Sequence, residues 1–200
     1  VELLAALRSR RSIRRFVERP VPRALLDELL SLACLAPAPH HSRPWRFVVV
    51  GARAREPLAE AMGARWRRDL ETDGVPEARI ATLLARSRAQ IRDAPALLLA
   101  CLASEGLRTW PDEDRRRAEW LMAVQSLGAA LQNLMLAAHD RGLGSLWISA
   151  PLFCPEAVRE ALELPQEYVA QALIALGYPH PEASPRPRPE PDLATLVLER

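Results

Sequence analysis

Apolar residues first recur at helical spacing over residues 2–8, where Leu3, Leu4 and Leu7 share one face. After an Arg-rich turn, Val21-Pro22 opens a second helix whose stripe is Leu25, Leu26, Leu29, Leu30 and Ala33, proline being favoured in a first turn. It ends at Ala36-Pro37, because a residue before proline is pushed out of the helical region. Residues 46–50 form a β-branched and aromatic run closed by Gly51, which predicts a buried strand. Two helical patterns follow at 53–70 and 76–92, separated by Asp73-Gly74. Residues 96–103 are apolar without alternation, as in a strand covered on both faces. Residues 145–149 and 168–177 are the third and fourth strands, with a short helix at 155–162 between them.

The longest periodic segment is 112–141, and from Leu127 to Ala138 it is apolar on nearly every side except at Gln132 and Asn133. A helix apolar all round must be covered all round. In a chain of 200 residues a second subunit is the simplest cover, so the pattern predicts a helix at the centre of a homodimer. Gly142 stops the helix in a capping position. From Tyr178 to Pro191 the chain is extended, polar and carries six prolines, and an apolar tip follows within 192–200. Such an arm, 178–200, is expected to dock on a partner's surface. Two helices between the first and second strands, and a very long one between the second and third, favour an α+β arrangement over a doubly wound sheet. We read 1–200 as a single domain.

Composition changes this picture at one point. All 27 residues counted as Lys plus Arg are Arg, so no lysine nucleophile or Schiff base exists, and any phosphate must be held by guanidinium, backbone N–H or hydroxyl groups. A codon bias accounts for most of them, since Asn also occurs once, at Asn133. The formal net charge of +2 is not that of a polyanion binder, so nucleic acid is not the expected partner. Cys34, Cys101 and Cys154 are isolated and odd in number, and four histidines offer no metal-ligand spacing. The apolar run 96–103 is too short to span a membrane, and the expected location is the cytoplasm. The first residue is Val, which leaves a preceding segment open.

The common nucleotide and hydrolase motifs are absent: there is no GxGxxG after a strand, no P-loop, no HExxH and no GxSxG. Three constellations remain. Arg10, Arg11, Ser12, Arg14 and Arg15 place four guanidinium groups and a hydroxyl within residues 10–15, an oxyanion site, a nucleic-acid contact or a solvated basic turn. Arg186 and Arg188 sit on the proline-stiffened arm, where clamping a phosphate costs less entropy than on a flexible tail. Between helix and strand, the loop 36–45 carries Pro37, Ala38, Pro39, His40, His41, Ser42, Arg43 and Pro44, stiff and polar enough to bind a ligand.

RRSIRRF, then PHHSRPW leading into a strand, the apolar helix ending in RGLGSLWIS, and the C-terminal RPR occur in the order of the FMN-dependent nitroreductase superfamily, which the whole chain resembles. Within it, APAPHHSRP and GLGSLWISAPLFCPE are most similar to the reductase domain that helps make the glutamate-tailed deazaflavin coenzyme. The resemblance implies a central mixed sheet flanked by helices, an intertwined homodimer and bound FMN. It implies that Arg10, Arg11 and Ser12 hold the phosphate and ribityl end, with Arg14 at the pyrimidine edge and Arg186 and Arg188 clasping the phosphate. Pro37, Ala38, Pro39 and His41 match a loop that a partner subunit lays against the flavin, and Trp147, Ile148, Ser149 and Ala150 match the segment beside N5 and O4. Ser149-Ala150 replaces a usual Glu-Gly pair, and a further basic contact near Ser87 and Gln90 is not recovered.

No protein side chain is then needed as a catalytic group, since hydride passes from the reduced flavin N5 to a stacked substrate. A fixed cation at the N1–O2 edge favours reduction, which suits Arg14. The substrate implied is a dehydro precursor of the deazaflavin coenzyme, its acidic tail gripped by His40, His41 and Arg43. A generic NAD(P)H-dependent nitroreductase or quinone reductase is the alternative, with NAD(P)H a candidate donor, and a glutamyl ligase domain, upstream or separate, is a candidate partner. From other classes, a flavin carrier without turnover and an Arg-rich nucleic-acid module stay open.

Overall fold

The computed structural model describes residues 2–200, and its elements follow the hydrophobic pattern closely. Helices α1 (Leu3–Ser9) and α2 (Arg23–Ala33) precede strand β1 (Trp45–Val49), and the helical pair α3 (Ala52–Thr72) and α4 (Glu77–Arg92) leads to β2 (Ala96–Ala103). The long helix α5 (Glu113–Asp140) is followed by β3 (Gly144–Ile148), α6 (Pro155–Ala161), β4 (Tyr168–Gly177) and a short α7 (Leu193–Leu196). Two 3-10 turns that the pattern does not predict occupy Pro39–His41 and Ala150–Phe153.

The strands form one sheet in the order β1-β2-β4-β3. Every neighbouring pair is antiparallel, which corrects the expected mixed sheet for the four strands. The parallel element is an isolated bridge from Ser12 to Ser145 on the open edge of β3. Between Ala100 and Cys101 the β2–β4 register slips, leaving Gln171 as an extra residue on β4. Its buried amide donates to the Ala170 carbonyl at 3.1 Å. That bulge reverses the alternation of β4, so Ala170 and Ala172 enter different cores.

On one face of the sheet, Leu98, Ala100, Leu102 and Ile174 pack against α2 and α5; on the other, Leu97, Leu99, Leu173 and Ala175 pack against α3 and α6. Asp112 caps α5 by accepting from Arg115 N at 2.9 Å. Gly142 ends it at φ 74, where Leu143 N donates back to the Ala138 carbonyl at 2.8 Å.

By length and composition α5 alone among the described residues could cross a membrane, yet Leu127, Leu131, Leu134 and Ala138 are buried against the sheet and α2. Its cover is incomplete: Leu121 and Val124 are exposed, and nothing within 4 Å meets a β-carbon placed at Gly128.

Candidate functional site

Ser12 and Ile13 lie on the edge of β3. Ile13 N donates to the Ser145 carbonyl at 2.9 Å, and the Ile13 side chain packs over Gly144. Phe16 bridges to Pro179, while Val17 N donates to the Tyr178 carbonyl at 3.0 Å. The Arg-rich segment is thus wedged between the start of β3 and the chain leaving β4, which fixes the backbone of residues 12–17.

The C-terminal arm returns to this place. Arg188 donates to the carbonyls of Leu7 at 2.9 Å and Arg10 at 2.7 Å. Arg11 donates to the carbonyls of Arg8 and Arg10 at 2.5 and 3.0 Å. Both guanidinium groups therefore satisfy carbonyls at the end of α1 as well as gathering charge around Arg10. Burial pushes the Arg10 pKa down, and Arg188 and Arg11 push it further by repulsion. An anion bound among three such cations relieves that repulsion, so the cluster fits a phosphate. Arg186 and Arg14 are exposed and have no hydrogen bond or ion pair among the described residues, so Arg188 is the member of the C-terminal pair that the structure brings to Arg10.

His139, in the last turn of α5, borders the same cluster. Ser9 Oγ gives its proton to the Ala5 carbonyl at 2.7 Å, so its 2.7 Å contact with His139 Nε2 is a bond donated by the imidazole. Burial first, and Arg10 second, lower the His139 pKa.

The other end of β3 opens on a cavity of about 710 Å³ between that strand and the α3–α4 pair. Ile148, Ser149 and Ala150 form one wall, with Trp66 and Phe153 beside them. Arg86, Ser87 and Gln90 on α4, together with the Arg65–Asp69 pair of α3 and Asp73 at its end, form the facing polar wall. Ser87 and Gln90 thus lie in the cavity although the sequence left their role open, and Arg86 was missed. Helical spacing puts these three on the α4 face turned toward β3, but nothing in the sequence pairs α4 with β3. Trp147 does not line the cavity, because strand alternation turns it away from its neighbours Leu146 and Ile148. From Ser145 to Ser149 a strand advances about 13 Å. The cation cluster and the cavity lie about one strand length apart and suit an elongated ligand, anionic at one end and flat with a polar rim at the other.

A cavity of about 830 Å³ between α3 and α4 holds none of the predicted site residues; its rim arginine Arg67 pairs with Glu77 at 2.8 Å, and Arg88 pairs with Glu56.

Loop 37–43 is elsewhere. It leads into β1, the opposite edge of the sheet from β3, with β2 and β4 between. Ser126 of α5 contacts the loop and His139 of α5 borders the Arg10 cluster, and thirteen residues of helix set them about 20 Å apart. Pro37, Ala38, Pro39 and His41 are therefore not gathered with Arg10, Ser12 and Ile148 within one chain. The loop is held by Ser126 of α5, whose Oγ donates to the Pro37 carbonyl at 2.7 Å. His40, His41 and Arg43 adopt left-handed backbone conformations, with φ of 52, 55 and 45°. Such conformations are unfavourable for residues with a β-carbon and persist only where the surroundings enforce them.

A nitroreductase family model matches residues 7–178. A protein of Methanothermobacter thermautotrophicus named as an NADH dehydrogenase/NAD(P)H nitroreductase is 32% identical over 194 residues, covering 96% of this chain and 85% of that protein. An NADH dehydrogenase of Thermus thermophilus is 32% identical over 206 residues, covering 90% of this chain and 88% of its own. Among solved structures, a nitroreductase from Desulfovibrio desulfuricans crystallised in complex with FMN superposes with a TM-score of 0.72 at 28% identity, covering 100% of this chain and 97% of that one. A BluB-like flavoprotein from Clostridium difficile gives a TM-score of 0.79 at 23% identity over 100% of this chain and 99% of its own, a likeness of fold alone.

Proposed function

The chain belongs to the nitroreductase family, and from that premise we propose that it is an FMN-dependent oxidoreductase working as a homodimer, taking electrons from NAD(P)H and passing them to a small acceptor. The observation that carries the reading is the pairing of the Arg10, Arg11 and Arg188 cluster with the cavity at the far end of β3. Bound FMN supplies the two-electron hydride chemistry. The chain's part is to bind and orient. Arg10 and Arg188 neutralise the phosphate, while Ser12, fixed by the β3 edge, reaches the polar chain next to it. Arg86, Ser87 and Gln90 offer donors and acceptors to the polar rim of the ring, while Ile148, Ala150 and Phe153 exclude water from its plane. Arg14, exposed and without a partner, supplies a positive charge on the same segment.

Two observations support the homodimer. Loop 37–43 stands on the opposite sheet edge from the cation cluster, so both enclose one ligand only if two chains contribute. In addition, Leu121 and Val124 on α5, Leu3 and Leu4 on α1, and Leu193, Leu196 and Leu198 on the arm leave apolar side chains uncovered in one chain.

With a nitroarene the reaction balances as NAD(P)H + H⁺ + ArNO₂ → NAD(P)⁺ + ArNO + H₂O. The names of the relatives support such NAD(P)H-linked reduction. A dehydro precursor of the deazaflavin coenzyme, reduced at a carbon–carbon double bond, is a second reading. It is favoured by the APAPHHSRP and GLGSLWISAPLFCPE segments and by the bare imidazole and guanidinium groups of His40, His41 and Arg43. Purified protein reconstituted with FMN should be yellow, should bleach with NAD(P)H, and should reoxidise with a nitroarene. Activity confined to the dehydro precursor would select the second reading, and failure to retain FMN would overturn both. Arg10→Ala and Arg188→Ala should each weaken FMN binding about 10- to 100-fold, in line with the loss of one charge-assisted phosphate contact.

A further inference from the structure

Two loops meet where β1 begins, and each presents one guanidinium group without an ion pair among the described residues. Loop 37–43 presents His40, His41 and Arg43 and no acid. Residues 104–112, which join β2 to α5, lie against it: a β-carbon at Gly106, φ 85°, would sit 3.0 Å from the Ser42 carbonyl oxygen. Arg46 of β1 ties the loops together, donating to the Arg43 carbonyl at 3.1 Å and pairing with Glu105 at 2.9 Å.

Beneath them Glu119 is only 4% exposed. It accepts from Arg108 N at 3.2 Å and from Trp110 Nε1 at 3.1 Å, and the nearby charges of His40 and Arg108 help to lower its pKa. Glu119 thus grips the second loop by hydrogen bonds to its backbone and indole, and it also feels the charge of Arg108 without a direct ion pair. The guanidinium groups of Arg43 and Arg108 are both exposed, and neither has an ion pair or hydrogen bond among the described residues. Of the exposed acids nearby, Glu105 is engaged by Arg46 and Asp112 by Arg115, which leaves the buried Glu119 as the remaining negative charge beneath Arg108. Ser42 Oγ, buried between the loops, has no hydrogen-bond partner either. A stiff loop pair with two exposed, unpaired guanidinium forks can hold an oxyanion with little loss of freedom.

We propose that Arg43 and Arg108, together with His40, form an anion subsite for the electron acceptor, selecting acceptors that carry a carboxylate or a phosphate. The inference rests on the reading above, in which loop 37–43 of one chain covers the ring cavity of another. Residues 104–112 extend that cover outward, so the charged group is held beyond the ring while the reducible group lies over it. Neutral acceptors gain nothing from the subsite.

The test uses the FMN-loaded protein, NADH as donor, and nitrobenzene, 4-nitrobenzoate and 4-nitrophenyl phosphate as acceptors. The quantity read is the ratio of kcat/KM for each anionic acceptor to that for nitrobenzene. In the wild type the ratio should exceed one and fall with added salt. Arg108→Ala should lower it about tenfold, the worth of one modest charge contact, and Arg108→Lys should retain most of it. Arg43→Ala should act in the same direction. A preference for the benzoate or for the phosphate ester identifies which oxyanion the site takes. Retained flavin absorbance shows that each variant is folded. An unchanged ratio in Arg108→Ala overturns the proposal while leaving the oxidoreductase intact. So does a change confined to the KM ratio of NADPH to NADH, which would assign the cations to the donor. A wild type that reduces none of the three overturns the nitroarene reading and this inference with it, and leaves the dehydro-precursor reading standing.

Discussion

The Ile13 side chain fills the space that a β-carbon on Gly144 would need, its Cβ lying 2.6 Å and its Cγ1 2.7 Å from that point. This contact presses the Arg-rich segment onto the edge of β3 and thereby sets where Ser12 stands relative to the strand. Gly144→Ala should therefore cost about 1–3 kcal/mol of stability by overpacking, because a β-branched neighbour cannot swing aside. It should also weaken FMN binding, since the block carrying Arg10 and Ser12 must shift. Ile13→Ala in the same chain makes room, so the two substitutions should be strongly non-additive in a double-mutant cycle read by urea unfolding and flavin titration. Additive effects would mean that the segment is held elsewhere.

Glu119 is the buried anchor of residues 104–112, and its removal strands two donors. Glu119→Ala should lower stability by about 2–3 kcal/mol, the cost of leaving Arg108 N and Trp110 Nε1 unpaired. Glu119→Gln keeps one acceptor oxygen and should cost less. The Trp110 bond and the Arg108 N–H lower the Glu119 pKa from its ordinary 4.5. Its contribution is thus complete above pH 4.5 and is lost as pH falls through the lower folded value. The gap in unfolding midpoint between wild type and Glu119→Gln should accordingly narrow in acid.

His139 acts in the same direction, in a higher pH window. Burial and Arg10 hold its pKa below the ordinary 6.5, so the unfolded chain takes up this proton at a higher pH than the folded chain does. Stability from this group is complete above 6.5 and declines as pH drops from there toward the folded value. His139→Gln, which can still donate to Ser9, should remove that part of the decline in melting temperature between about pH 7 and 5. Saturating phosphate should shrink the decline in the wild type by screening Arg10.

The three thiols should separate cleanly. Burial pushes Cys101 up to about 12, and it raises Cys154 as well. A disulfide reagent at pH 8 should leave both untouched in the folded protein and react first with the half-buried Cys34. All three should react after unfolding. Rapid modification of Cys101 in native protein would contradict the buried β2 core.

Much of the architecture is legible in the sequence because apolar spacing determines it locally. The segments 96–103 and 168–177 are strands over the same residues as expected, and the stripes of α2 and α5 are the ones that pack. The order β1-β2-β4-β3 is not legible, since it depends on which edges meet after the helices have covered both faces. Nor is the bulge at Gln171, which follows from pairing a strand of small residues with its partner. At the site, Arg10 and Arg188 could be matched as an oxyanion pair by chemistry alone, and their contact is present. Arg186 looked equivalent to Arg188, but residue type does not reveal which member of an alternating pair faces the body of the protein. Ser87, Gln90 and Arg86 face a cavity whose other wall is about sixty residues away in sequence, and no local pattern carries that information.

In the proposed homodimer the two halves of the binding machinery stand on opposite edges of one sheet, which makes a pocket the joint property of two polypeptides. A chain disabled at Arg10 and a chain disabled at Pro37 and His41 should each be inactive as pure assemblies when FMN is limiting. Mixed, they give a pair in which both lesions fall in one pocket and the other pocket is wholly wild type. Random reassortment of equal amounts should therefore restore about a quarter of the normal number of working pockets from two inactive stocks.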